Sequence, residues 1–216
     1  MKIVNAFNRI CGPKKKCVAD VLEQTIQLAV EIAREGREGR KIGTLFVVSD
    51  EKEVLKRSRP MILDPLYGHT ADKKKIFDPD MRETIKELAQ LDGAFIVSGD
   101  GFVISAARYI NASSRRIELP LGLGSRHVAA ASISRDTQAV AVVVSESSVV
   151  RVFNEGILIA EIIPEIWLFG NEGFKISGPH EEQKIADLRI VSVKTGQNLK
   201  TDDIKGPAGV DFARDN

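Results

Sequence analysis

The chain has 216 residues, 43% of them hydrophobic and 28% charged, with a formal net charge of +1. That length is ample for one large domain with its own core, and the near-neutral, ordinary composition excludes any polyanion-binding or membrane-surface role argued from global charge. No apolar run approaches the roughly 18 to 20 residues that a bilayer span needs, the first residues lack the apolar core of a signal peptide, and Cys11 and Cys17 are the only thiols; a cytoplasmic protein with free thiols and with neither membrane nor nucleic-acid partner is expected.

Residues 1–17 read as an N-terminal extension, a short extended segment followed by a basic loop around Gly12 and Pro13. The Lys14-Lys15-Lys16 triplet there is a solvated charge run. From Val18 the pattern is helical, with Val21, Leu22, Ile26, Ala29, Ile32 and Ala33 on one face, and Gly36 and Gly39 end it. The run IGTLFVV over 42–48 has the unbroken apolar, β-branched character of a strand buried on both faces. Ser49 and Asp50 are candidate caps of a short helix to about Arg57, and Pro60, Pro65 and Gly68 then mark a loop carrying an exposed His69.

Asp78-Pro79 starts the next helix, with Met81, Ile85, Leu88 and Leu91 as its buried face. Residues 93–97 form a strand, SGDG at 98–101 a hairpin turn, and 102–110 the antiparallel return strand. After a loop with Pro120, Gly122 and Gly124, Ser125 opens and caps a helix of small residues over 126–134. Strands follow over 139–144, 149–153 and 157–163 on short turns, and 188–193 is one more. Trp167, Leu168 and Phe169 are candidates to cap the core, and 195–216 reads as a poorly ordered tail. The expected fold is α/β (α+β), a central mixed sheet flanked by helices on both faces, with a core domain over 18–165 and a C-terminal extension over 166–216.

The residues suited to chemistry fall between positions 91 and 146. Asp92 lies at a helix-to-strand junction, and Gly93 and Ala94 leave the backbone open to a flat ligand; the same Asp-Gly pair is also a common turn. In Gly124-Ser125-Arg126-His127 the glycine, the first-turn amides and Arg126 make a cradle for an anion, and His127 can donate to phosphate oxygens. Ser145 and Glu146 end a buried strand, where the glutamate is either a turn residue or a second carboxylate for a metal. One metal-binding carboxylate, one phosphate cradle and one further polar edge are the minimum for phosphoryl or nucleotidyl transfer.

These motifs, Leu91-Asp92-Gly93-Ala94 with Gly124-Ser125-Arg126-His127 and Val143-Val144-Ser145-Glu146, resemble the diadenylate cyclase family, most closely its archaeal-type soluble branch, over roughly residues 18–163. The resemblance implies condensation of two ATP into cyclic di-AMP with release of two pyrophosphates. It makes Asp92, Arg126 and His127 catalytic, and puts Gly93, Ala94, Ile110, Gly124, Ser125, Arg126, His127 and Ser145 around the ATP. Ile110 reads adenine through its backbone, and Asp92 holds Mg²⁺ or Mn²⁺, with Glu146 a further candidate ligand. It further implies a homodimer, possibly within a higher homo-oligomer, because each subunit holds one ATP and the two must meet face to face. One departure stands out: the family usually has a second arginine after the histidine, and this sequence has Val128, so that Arg115, Arg116 or Arg135 are candidate substitutes. Val128 also leaves a second reading open, a non-catalytic module that binds ATP or cyclic di-AMP.

Overall fold

The computed structural model describes residues 10–11, 18–113, 117–164, 179–185 and 188–193. Helix α1 (Ala19–Glu35) carries nine buried residues, spaced to cover one broad face. It stops at Gly36, whose φ of +59° suits glycine and where a Cβ would lie 2.3 Å from the Arg40 carbonyl oxygen. Strand β1 (Thr44–Val48) is buried along its whole length. Helix α2 (Glu51–Lys56) follows, and strand β2 (Ser58–Pro60) runs along the sheet edge, where Pro60 forfeits no interior ladder bond.

Helix α3 (Pro79–Leu88) starts as the Asp78-Pro79 pair predicts, the Asp78 carboxylate accepting from the amides of Asp80 and Met81. Met81 and Ile85 are buried, whereas Leu91 lies beyond the helix end and is exposed. Strands β3 (Ala94–Val97) and β4 (Val103–Ile110) form the expected antiparallel pair, interrupted by register shifts. Helix α4 (Ser125–Asp136) leads into β5 (Val140–Val144), β6 (Val150–Asn154) and β7 (Ile157–Pro164), and β8 (His180–Ile185) and β9 (Leu188–Val193) complete the set.

The nine strands among the described residues join one sheet in the order β2-β4-β3-β1-β5-β6-β7-β9-β8. β1 and β3 are parallel, and the remaining pairs are antiparallel. α1 and α3 cover one face through Leu22, Ile26, Met81 and Ile85 against Phe46, Phe95 and Val142. α2 and α4 cover the other through Val54, Ala130, Ala131 and Ile133 against Val47, Ile96 and Val143. The mixed sheet with helices on both faces is therefore as expected.

Three local expectations change. Asp50 takes the N-cap position of α2 in a left-handed conformation, but its side chain does not bond the first turn; its Oδ2 accepts the Gln138 amide at 3.0 Å and ties the end of β1 to the start of β5. Ser125 does not cap α4 either, because Gly124 occupies the N-cap and no side chain bonds the first turn. Residues 180–185, HEEQKI, form a strand their composition does not announce, supported by pairing with β9 along its full length. Trp167, Leu168 and Phe169, the stretch 195–216, Cys17, Arg115 and Arg116 lie outside the described residues.

Candidate active site

Four elements bring their ends together at one place. Asp92 stands two residues before β3, Arg126 sits in the first turn of α4, Glu146 follows β5, and Gly43 leads into β1. Arg126 Nη2 lies 3.1 Å from Asp92 Oδ1 and its Nη1 lies 3.2 Å from Glu146 Oε1, so one guanidinium spans two carboxylates more than 50 positions apart in sequence. Both carboxylate side chains are 68% exposed, while the Arg126 Nε is buried without a hydrogen-bond partner. Asp92 Oδ1 also accepts the Gly93 amide at 2.9 Å.

Beside this cluster opens a cavity of about 350 Å³, within the range of small-ligand sites. Leu45, Ala94 and Ile110 give it an apolar floor, Val128 and Ala129 wall it on the α4 side, and Asp92, Ser125 and Arg126 stand at its polar end. A mainly apolar cavity that also meets a cation, a carboxylate and an uncapped helix N-terminus suits a base and its phosphates. The carboxylates are hard oxygen donors appropriate to Mg²⁺ or Mn²⁺. Among the described residues no group of three or more His, Cys, Asp or Glu converges. The two carboxylates, both also engaged by Arg126, supply part of what a hard cation needs and leave the rest of its ligands to come from outside the protein.

Gly93 has a structural reason to be glycine. Its φ is +109°, and a Cβ would sit 2.7 Å from the Ala107 carbonyl carbon and 2.8 Å from the Arg108 nitrogen. Ala107, at φ +51°, lies where β4 shifts register against β3, so a bulged strand presses against the glycine.

His127 is placed differently from the expected phosphate donor. It is 6% exposed, does not line the cavity, and turns its ring toward the sheet, edge-on to Phe153 at 6.1 Å, with Nε2 3.4 Å from Arg151 Nη1. Burial first, then the Arg151 charge, push its pKa from 6.5 down to about 4, with the Gly124 carbonyl opposing and Arg126 adding to the depression. Arg151 in turn donates from Nε to Glu161 Oε1 at 2.6 Å. Ser145 Oγ pairs with Ser147 Oγ in the turn after β5, and neither Ser145 nor Gly124 lines the cavity.

Of the candidate replacement cations, Arg135 is at the far end of α4, paired with Asp136. Among the described residues, the other arginine on the cavity is Arg108, which sequence reasoning passed over. It is anchored by Nε to Ser58 Oγ at 2.9 Å and by Nη2 to the Ser58 carbonyl at 3.0 Å. Burial lowers its pKa, with the Asp64 carboxylate opposing. Gly43, Arg151 and Glu161 were also missed, since nothing local marks them.

The family model described as DAC, the DisA bacterial checkpoint controller nucleotide-binding domain, matches residues 31–158, more than half of the chain. The chain belongs to the DAC family. It is 49% identical over 144 residues to a diadenylate cyclase of Methanocaldococcus jannaschii, covering 66% of this chain and 45% of that protein. It is 39% identical over 150 residues to a diadenylate cyclase of Haloferax volcanii, covering 68% and 54%. The chain thus spans about half the length of the curated relatives it matches. Among solved structures, DacA from Staphylococcus aureus aligns over 64% of this chain and 84% of its own, at 24% identity and a TM-score of 0.42. Gly43, Asp92, Arg126, Glu146 and Arg151 all lie within the span that matches the DAC model, and Glu161 falls just beyond it.

Proposed function

We propose that this DAC protein is a diadenylate cyclase that condenses two ATP into cyclic di-AMP and two pyrophosphates, with one ATP per subunit across a face-to-face homodimer. The observation that carries the reading is the Arg126 guanidinium held between Asp92 and Glu146 at the polar end of an apolar slot. Adenine packs over Leu45, Ala94 and Ile110, and the triphosphate runs to Ser125, Arg126 and the α4 N-terminus. Asp92 accepts the hydrogen bond of the ribose 3′-hydroxyl as that oxygen attacks the α-phosphorus of the ATP in the other subunit. Each event forms a 3′-O–P bond, breaks the α–β phosphoanhydride and releases pyrophosphate, the hydroxyl proton passing to Asp92 and on to water. Asp92 and Glu146 would hold a divalent cation, Mg²⁺ or Mn²⁺, which would neutralise the charge that builds on the triphosphate.

Val128 on the cavity wall favours a second reading, binding of ATP or cyclic di-AMP without turnover. Mass spectrometry after incubation with ATP and Mn²⁺ separates the two: cyclic di-AMP supports the cyclase, and ATP binding by a dimeric preparation with no product supports the second. A cyclase working across two subunits also loses specific activity on dilution, as dimer gives way to monomer.

No helix among the described residues is long and apolar enough to cross a membrane.

A further inference from the structure

We propose that Arg151 and Glu161 are positioning residues, which act through His127 to hold the first turn of α4 and so the Arg126 guanidinium where the reaction needs it. The inference rests on the cyclase reading above. Arg151 on β6 and Glu161 on β7 are direct cross-strand partners, and both sit on the sheet face that α4 covers. They are 5% and 1% exposed, in a layer otherwise built from Phe153, Val143 and Ala131. Two charges buried in such a layer are a poor device for stability, since apolar side chains of similar volume usually serve as well or better. Their presence in that layer asks for another reason, and the geometry supplies one.

The Glu161 carboxylate accepts from Arg151 Nε at 2.6 Å, which fixes the guanidinium so that Nη1 faces His127 Nε2 at 3.4 Å. An arginine can only donate, so the imidazole must be neutral and accept at Nε2, leaving its proton on Nδ1. That Nδ1 is buried without a hydrogen-bond partner, on the side of the Gly124 carbonyl, which already accepts the amides of His127 and Val128. A chain of contacts therefore runs from β7 through β6 into the N-terminal turn of α4. Arg126 is the next residue, its own Nε is unpartnered, and its grip on Asp92 and Glu146 is to two largely exposed carboxylates that can swing. The turn beneath it is the rigid part of the arrangement, and misplacement of about 1 Å in such a group costs on the order of 100-fold in rate.

Among the described residues, the charged groups acting on His127 are Arg151 from the sheet and Arg126 from its own turn, and Glu161 reaches it through Arg151. Replacing the pair by apolar residues separates positioning from stability. In Arg151→Met/Glu161→Leu we expect an unchanged or higher thermal midpoint, ATP affinity within about threefold of the parent, and kcat lower by tenfold or more. Arg151→Lys, which keeps a donor toward His127, should recover part of that kcat. Full kcat in the folded double variant, or a loss that only tracks thermal destabilisation across the set, overturns the proposal. If the double variant does not fold, Glu161→Gln decides: a fall in kcat of threefold or more at constant thermal midpoint supports positioning, and parental kcat refutes it. Nitrogen-15 spectra of the histidines at pH 7 read the same contact without turnover, and stand even if the cyclase reading fails. An Nδ1–H neutral signal that changes in the Arg151 variants supports the chain of contacts, and an Nε2–H or cationic His127 contradicts it.

Discussion

A Cβ placed on Gly43 would lie 2.7 Å from Nη1 of Arg126, and 3.2 Å from both Cγ and Oε1 of Glu146. The glycine before β1 thus makes the space in which the guanidinium meets its second carboxylate. The closest atom it would strike is the mobile end of a side chain, so the fold can give way where the site cannot. Gly43→Ala should leave the thermal midpoint within a few degrees of the parent while displacing Arg126 and lowering kcat/KM by roughly 10-fold or more, about 1.4 kcal/mol in transition-state binding. Paired melting curves and steady-state kinetics check this.

Gly93 predicts the opposite balance. An alanine there meets the backbone of Ala107 and Arg108 at 2.7 to 3.0 Å, at a φ of +109°. Neither strand can yield without disturbing the β3–β4 ladder, so Gly93→Ala should cost about 1 to 3 kcal/mol of stability. Chemical denaturation would measure it, and the loss should be clearly larger than for Gly43→Ala.

His127 gives a pH signature. Its pKa falls from 6.5 to about 4 on folding, so between those values the unfolded chain takes up a proton that the folded chain refuses. Its contribution is complete above about pH 6.5 and lost as the pH falls toward 4, amounting to roughly 2 kcal/mol by pH 5. Replacing it by glutamine should shrink the difference in unfolding free energy between pH 7 and pH 5 by about that amount. Equal pH dependence in the two proteins would show that the ring is not buried in neutral form.

Much of the architecture was legible because single segments declare it. The continuous apolar runs of β1 and β5 need both faces covered, and the SGDG turn announces the β3–β4 hairpin. The meeting of Asp92, Arg126 and Glu146 was legible through family resemblance rather than spacing. Arg151 and Glu161 were hidden for a physical reason. In VRVFN an arginine between two valines alternates as if one strand face met solvent, and alternation cannot show that α4 will cover that face. Gly43 was hidden too, because the atoms it makes room for come from the first turn of α4 and the turn after β5. The inward turn of His127 depends on Arg151 and Phe153, two strands away in sequence order from the helix that carries it.

The central claim is that Asp92 works on the 3′-hydroxyl of a nucleotide held by Arg126 beside the Ala94–Ile110 floor. The most direct measurement is cyclic di-AMP formed from ATP and Mn²⁺ by the parent protein and by Asp92→Asn, with ATP binding and thermal midpoint recorded for both. Product is expected from the parent, and from the variant a fall of at least about 100-fold with the fold intact. Turnover by Asp92→Asn at the parental rate, or no product from a dimeric parent protein that binds ATP, would contradict it.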